Sequence, residues 1–323
     1  MEIYKLCVGP MSKNIVDAII EMQIPMILIP SRRQIEMNGG YVNNWTTVDF
    51  CTYVRNRSDL ILIERDHGGP GQGNNDDDGI ESLMLDAKYM DILHIDPWKK
   101  YPKYEDGLVW TLKLIRMCLE VNPHILFEVG TEEAIRKIEY DELERFLSDL
   151  RIQLGTAFKQ IKYCVIQCGT SLRNGQNNGK FDSHRLQRMI EVCRRYNLLS
   201  KEHNGDWVNQ LDLSQKFQMG LNAVNIAPEM GTFETECILN SVKADREIVD
   251  RFYQMCYASN KWVKWVSEGY NPTVEELIKI CGHYIFSVEG FECITQSLPA
   301  DFDNNVRVKI RDKLNVYLAC IKD

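Results

Sequence analysis

Eight short apolar runs, each followed by a loop and then by a segment of helical periodicity, constrain this chain more than any other feature. They are KLCVGP (5–10), PMILIPS (25–31), LILIERD (60–66), DILHIDP (91–97), HILFEVG (124–130), KYCVIQCG (162–169), LLSKEHN (198–204) and AVNIAPE (223–229). Between them, segments such as SKNIVDAIIEMQ, IESLMLDAKYM and DSHRLQRMIEVCRRY carry apolar residues at three- and four-residue steps. Strands that alternate with helices pair in parallel through right-handed crossovers, and eight such units close a barrel. The expected fold is therefore α/β, a (β/α)8 TIM barrel over residues 1–245. An open doubly wound sheet would advertise a GxGxxG turn after its first strand, and here that turn reads VGPMSK. Residues 246–323 are expected to be a helical C-terminal extension, packed on the barrel or at a subunit interface. The run FETECILNSVKADREIVDRFYQMC supplies the eighth barrel helix, and NKWVKWVSEG is one of the helical segments beyond it.

Composition narrows the class. Hydrophobic residues at 44% and charged residues at 26% of 323 leave ample material for a buried core. A net charge of −8 argues against a nucleic-acid partner, because phosphate contact needs clustered Lys and Arg. No apolar run approaches the length that spans a bilayer, so no membrane association is expected. The 11 cysteines lack CxxC spacing and read as scattered thiols of a reducing compartment. MEIYKLCVGPMSKN lacks a basic region followed by a long apolar core, which leaves a cytoplasmic location as the expectation.

In barrels of this kind chemistry gathers at the carboxyl ends of the strands, where the loops are free to vary. His67, His94 and His203 fall there, whereas His124, His184 and His283 read as structural. Glu64, Arg65, Asp66, Asp96, Glu128, Gln167, Glu202, Asn204 and Asn225 come to the same ends. Asp66 and His67 cannot both face the interior of a regular strand, since side chains alternate; the glycines after His67 let the chain leave strand geometry. The pair suits a division of labour in which the imidazole holds a divalent metal and the neighbouring carboxylate moves a proton. His67 and His203 are the first two candidate ligands, and the third is His94 or Glu128. Asp66, Glu128 and Arg65 are the candidate catalytic residues, with Asp96, Gln167, Asn204 and Asn225 as candidate substrate contacts.

Several of these stretches, taken in order, resemble the class II tagatose-bisphosphate aldolase family, in particular its Z-type subunit. The matching pieces are QIEMNGGYVNNWTTVDF, RDHGGP, HIDP, EVGTEEA and KEHNGDW, spread from about residue 24 to 235. The resemblance implies a zinc-type ion that polarises a ketose carbonyl and holds an enediolate. His67 and His203 would then be ligands, Asp66 the acid/base carboxylate, and Glu128 or His94 the residue that completes the site. Gln34, Gly40 and Tyr41 would order a sugar or sugar-phosphate substrate, and Gly231 and Thr232, helped by Arg32, Arg33 or Arg173, would cradle a phosphate. Arg65 and Gly68 depart from the family's small residue and Leu, which implies a mouth of altered charge and shape. The loops GPGQGNNDDDG and SLRNGQNNGKFDS are solvated loops or lids, and Asp76 to Asp78 can cap the helix that follows. Z-type chains support a separate catalytic aldolase chain, so the resemblance also allows a non-catalytic subunit with a partner aldolase, besides a homo-oligomeric lyase or an isomerase using the same chemistry.

Overall fold

The computed structural model describes residues 4–173 and 176–321, with the side chain of Arg173 outside the description. Eight parallel strands close a barrel: β1 (Leu6–Val8), β2 (Met26–Leu28), β3 (Ile61–Gly68), β4 (Ile92–Ile95), β5 (Leu126–Val129), β6 (Ile161–Ile166), β7 (Leu199–Glu202) and β8 (Ala223–Ile226). Each pairs with its neighbours in chain order, and β1 closes the ring against β8 through Leu6 beside Val224 and Val8 beside Ile226. All eight apolar runs of the sequence are strands, because a strand covered by helices outside and filled by side chains inside is apolar on both faces. The interior holds a small cluster of its own, formed by Cys7, Ile27, Ile29, Ile92, Tyr163 and Ala223, separate from the larger core between strands and helices.

Helices α1 (Lys13–Met22), α2 (Thr47–Arg55), α3 (Ile80–Tyr89), α4 (Tyr104–Val121), α5 (Tyr140–Leu154), α6 (Ser183–Arg195), α7 (Gln210–Gln218) and α8 (Pro228–Val242) form the outer ring. Local chemistry sets their starts. Ser12 caps α1 by accepting from the Ile15 amide at 3.1 Å, Thr46 and Asp49 close a reciprocal capping box on α2, and Pro228 opens α8. A small hairpin, Leu172–Arg173 with Gln176–Asn177, follows β6. Among the described residues no helix is long and apolar enough to cross a membrane.

The run from Phe233 to Cys256 is not one helix. It divides into α8 and α9 (Arg246–Ser259), because Asp245 turns its carboxylate onto the amides of Glu247 and Ile248 and starts a new helix. NKWVKWVSEG likewise yields only a 3-10 turn at Val263–Trp265. Beyond it come α10 (Val274–Cys281), a 3-10 turn at Gly282–Tyr284, α11 (Glu292–Thr295) and α12 (Phe302–Cys320). The last presents Val306, Ile310, Leu314 and Tyr317 as a buried stripe and lies against α1, α7 and α8.

Arg65 and Gly68 do not shape the mouth. Arg65 is fully buried in the helix layer, where Asp86 takes its Nε at 2.6 Å and its Nη2 at 2.8 Å, and the carbonyls of Pro30 and Ile35 take Nη1. The pair fastens the loop after β2 to α3. A Cβ on Gly68 would stand 2.5 Å from Leu83 Cδ2, so the missing side chain serves helix packing. Arg65→Met leaves the Asp86 carboxylate buried without a counter-charge and is expected to cost about 3–5 kcal/mol, read by denaturant titration; a loss below about 1 kcal/mol would contradict this account.

At the foot of α12, Asp206 accepts the amides of Ala227 and Glu229 at 2.9 and 2.8 Å, while Glu229 binds Tyr317 Oη and, at 2.5 Å, Lys313 Nζ. Burial first, and then the Glu229 carboxylate, push the Asp206 carboxyl from its ordinary 3.8 up to about 8. The folded chain keeps a proton there that the unfolded chain releases. This stabilisation is therefore complete below pH 3.8 and is lost as pH rises through about 8. The melting temperature is expected to fall across that window and Asp206→Asn to flatten the fall; an unchanged slope would remove Asp206 from the explanation.

Candidate metal centre

Alternation along β3 sends Glu64 and Asp66 inward and Arg65 outward. At His67 the strand leaves regular geometry: its φ is +48°, in the left-handed region, and the pairing with β4 shifts register between Arg65 and Gly68. A non-glycine residue there costs roughly 1–2 kcal/mol, and the result is that consecutive side chains, Asp66 and His67, both reach the mouth. His94 comes inward from β4, Glu128 stands beside it in register on β5, and Lys201 with His203 face in from the end of β7.

The three imidazole rings form a nearly equilateral triangle, with centroids 5.0, 5.0 and 5.1 Å apart. Each ring has one nitrogen engaged from behind. His67 Nδ1 donates to Asp96 Oδ2 at 2.6 Å, His94 Nε2 to the Gly130 carbonyl at 3.1 Å, and His203 Nε2 to Glu128 Oε1 at 2.7 Å. These acceptors fix the tautomers, so in the neutral rings the lone pairs sit on His67 Nε2, His94 Nδ1 and His203 Nδ1. Those three nitrogens each lie 3.9 Å from an oxygen of Asp66, and the ligand atoms of the four residues all fall within 4.8 Å of one another. The His67 amide also reaches His94 Nδ1, at 3.2 Å.

The electrostatics ask for positive charge at this point. Burial works against ionising Asp66, but His67, His94 and His203 outweigh it and hold the carboxyl far below its usual range. Burial also opposes a charged His67, yet Asp66 and Asp96 push it up to about 10; His94 rises too, through Glu128 and Asp66. Once an incoming cation displaces the protons that these shifts favour, three imidazole nitrogens and an ionised carboxylate, each imidazole oriented by an acceptor behind it, fit a divalent ion of the zinc type, whose ligand distances of about 2.0–2.1 Å would bridge the gap. His67, His94 and His203 are the residues that would hold it.

One layer below, Lys201 is fully buried with Nζ 2.6 Å from Glu64 Oε2 and 2.6 Å from Glu128 Oε2. Burial and the neighbouring Glu128 charge drive the Glu64 carboxyl upward, so it keeps its proton. Burial pushes Glu128 the same way, but Lys201, Glu64, His94 and His203 prevail and keep it ionised. Glu128 therefore acts from behind His203. Lys201 was missed in the sequence reading, although it stands two residues before His203 and alternation alone turns it inward.

The mouth opens into a cavity of about 210 Å³ lined by Gln34, Tyr41, Asp66, His67, His203, Asn204 and Asn225. Asp96 and Glu128 lie behind the imidazoles, fully buried. Gln167 is committed to the backbone, accepting from Ile138 and donating to Thr131 and Arg136. Gly40 is needed because a Cβ there would coincide with the Gln34 carbonyl at 2.0 Å. Gly231 faces His283, whose ring would stand 2.8 Å from a Cβ at that position, and Thr232 follows it in α8, outside the lining of the cavity. Arg32 is neutralised by Asp77 and Glu36, Asp76 pairs with Lys100, and Asp78 caps the Ile80 amide. The loop SLRNGQNNGKFDS falls partly outside the described residues. The lining also includes Arg33, Glu132, Asp206, Lys264, Trp265 and Tyr284. These come from loops and from the extension, where no periodicity marks a residue as inward.

No protein-family model matches the sequence, and no curated protein matches it. Solved structures do match along nearly the whole chain. A probable tagatose 6 phosphate kinase from Sinorhizobium meliloti 1021 aligns with 98% of this chain and 100% of its own, at 14% identity and a TM-score of 0.73. The native fructuronate-tagaturonate epimerase UxaE from Cohnella laeviribosi aligns over 98% and 81%, at 10% identity and 0.66. The YdjI aldolase from Escherichia coli K12 aligns over 98% and 91%, at 12% identity and 0.56. At these identities the likeness is one of fold: the chain shares its closed barrel with sugar-processing enzymes.

Proposed function

We propose that this chain is a metal-dependent, class II aldolase-like lyase acting on a ketose or ketose phosphate. The observation that carries the reading is the convergence of His67 Nε2, His94 Nδ1 and His203 Nδ1 around Asp66, each ring fixed from behind by its own acceptor. When bound there, a zinc-type ion would polarise a ketose carbonyl and offset the negative charge of an enediolate.

The protein's own groups would do the rest. Asp66 is held ionised among the three imidazoles and would take the proton of the hydroxyl that becomes an aldehyde. Asn225 reaches Asp66 through Nδ2 at 3.4 Å, while its Oδ1 is buried with no partner among the described residues, an acceptor suited to a substrate hydroxyl. Gln34, Tyr41 and Asn204 supply further polar atoms around the cavity, and Trp265 and Tyr284 wall it on the side of the extension. A second reading, an epimerase or isomerase, uses the same ion and the same proton transfer; an epimerase among the structures of the same fold favours it. A supporting subunit for a separate aldolase would need none of the orientation behind the three rings.

Chelated protein titrated with zinc is expected to bind about one ion per chain and to melt at a higher temperature. His67→Ala and His203→Ala are expected to abolish both effects; an unaltered melting curve in the unsubstituted chain would end the metal reading. Glu128→Gln should keep the ion with about 10- to 100-fold weaker affinity, since it acts only through His203. Asp66→Asn should retain the ion and lower turnover of a ketose phosphate by about 100- to 10,000-fold. Turnover that survives this substitution would remove Asp66 from the proton transfer. Cleavage products separate the lyase from the epimerase, and activity appearing only with an added aldolase chain would favour the supporting role.

A further inference from the structure

Helix N-termini in barrels commonly receive the anionic end of a substrate, and here that place is taken. The amides of Ala227 and Glu229 at the start of α8 are given to Asp206 Oδ1, and the space beside Gly231 is filled by the His283 ring. An incoming oxyanion would meet the Asp206 carboxyl there instead of free N–H groups.

Positive charge that no carboxylate ion-pairs among the described residues stands elsewhere on the same cavity. Arg33, from the loop after β2, and Lys264, from the 3-10 turn of the extension, both line it. Lys99 lies close by, and the three charges are near enough to act on one another. Among the described residues no carboxylate ion-pairs with any of them. Arg33 donates to the Gly73 carbonyl at 3.3 Å and Lys99 to that of Gly71 at 2.8 Å. The Lys264 ammonium rests 4.7 Å from the centre of the Trp265 ring and 5.0 Å from that of Tyr284. Partial desolvation, and then the charges of Arg33, Lys261 and Lys99, bring Lys264 down to about 8. The chain elsewhere neutralises such groups: Arg32 has Asp77 and Glu36, Arg65 has Asp86, Lys201 has Glu64 and Glu128, and Lys216 has Glu202. Holding like charges together over an aromatic wall is unfavourable unless an anion joins them.

Lys264 is held in place by a packed surface. Trp265 Nε1 donates to Tyr284 Oη at 3.1 Å, and the Tyr284 ring meets Tyr41 edge-on at 4.8 Å between centroids. Tyr41 belongs to the barrel and Tyr284 to the extension, so the two parts share one rim. Aromatic faces under a lysine hold the ammonium while leaving its N–H donors free for an oxyanion.

We infer that Arg33 and Lys264 form the subsite for an oxyanion carried by the sugar substrate, a phosphate monoester or a carboxylate, and that the C-terminal extension thereby completes the substrate site. This rests on the proposed ketose chemistry for the identity of the substrate, but the binding itself does not require the metal. The test is calorimetric titration of the full chain in chelator with inorganic phosphate, a ketohexose 6-phosphate, a hexuronate and an uncharged ketohexose. The unsubstituted chain is expected to bind a charged sugar more tightly than the uncharged one, and the preferred anion tells phosphate from carboxylate. Lys264→Met and Arg33→Met should each weaken the charged ligand by about 10- to 100-fold while the uncharged ketose binds as before and the melting temperature of the free chain does not fall, and Lys264→Arg should largely keep the affinity that Lys264→Met loses. Thr232→Val should have no effect. Equal affinity for charged and uncharged sugars, no sugar binding at all, or variants that bind the charged sugar as the unsubstituted chain does, would overturn the inference. Zinc titration of the same samples reads the metal separately: discrimination that persists without zinc binding retains this subsite and rejects the metal reading, and the converse does the opposite.

Discussion

The site depends on three hydrogen bonds that face away from it. Asp96, the Gly130 carbonyl and Glu128 each hold one nitrogen of an imidazole, and by doing so aim the other nitrogen at Asp66. An imidazole has two nearly equivalent nitrogens, and without a fixed acceptor it would sample both tautomers and turn about its bond to the backbone. The three acceptors sit on two different strands and their ends, so only a closed barrel brings them behind rings from β3, β4 and β7.

Buried charge is organised in layers beneath this arrangement. Lys201 lies between Glu64 and Glu128, and that ammonium helps Glu128 to stay ionised although it is fully buried. Its charge passes to His203 as a strong acceptor, while Glu64 keeps a proton and spares the interior a second unpaired anion. Regular strand geometry gives way at His67, where a left-handed residue turns a second consecutive side chain toward the mouth. Strain in the backbone thus falls at the point where the proposed metal site would take a further ligand.

Outside the barrel the same logic of paired charge secures the loops that carry the cavity. Arg65 with Asp86 and Arg32 with Asp77 anchor the segments after β2 and β3, and Glu229 with Tyr317 and Lys313 anchors α12. Against that background Arg33 and Lys264, with which no carboxylate ion-pairs among the described residues, stand apart.

Much of this was legible in the residue order. The eight strands follow from apolar runs of strand length between helical segments, and Asp66, His67, His94 and His203 follow from the rule that strand ends meet at one mouth. What the order could not distinguish was which neighbour of a strand end faces in. Arg65 and Asp66 are adjacent and both polar, yet one is buried against Asp86 in the helix layer and the other lies among the imidazoles. Glu128 stood as the alternative to His94 for a third ligand because it too comes at a strand end, and its position behind His203 emerges only from the packing of side chains inside the closed barrel. That the place expected for a phosphate at Gly231 is filled was hidden from one-dimensional reading, because the residues that fill it, Asp206 and His283, lie 25 and 52 positions away in the chain.

The sequence by itself determined the barrel and the set of groups at its rim, since period and apolarity are local properties that each segment carries with it. The tertiary structure decided which of those groups share a lone-pair focus, which neutralise one another, and which charges from the extension remain exposed to the cavity. Tautomer, ionisation and approach within a few ångströms depend on partners far away along the chain, and no local pattern records them.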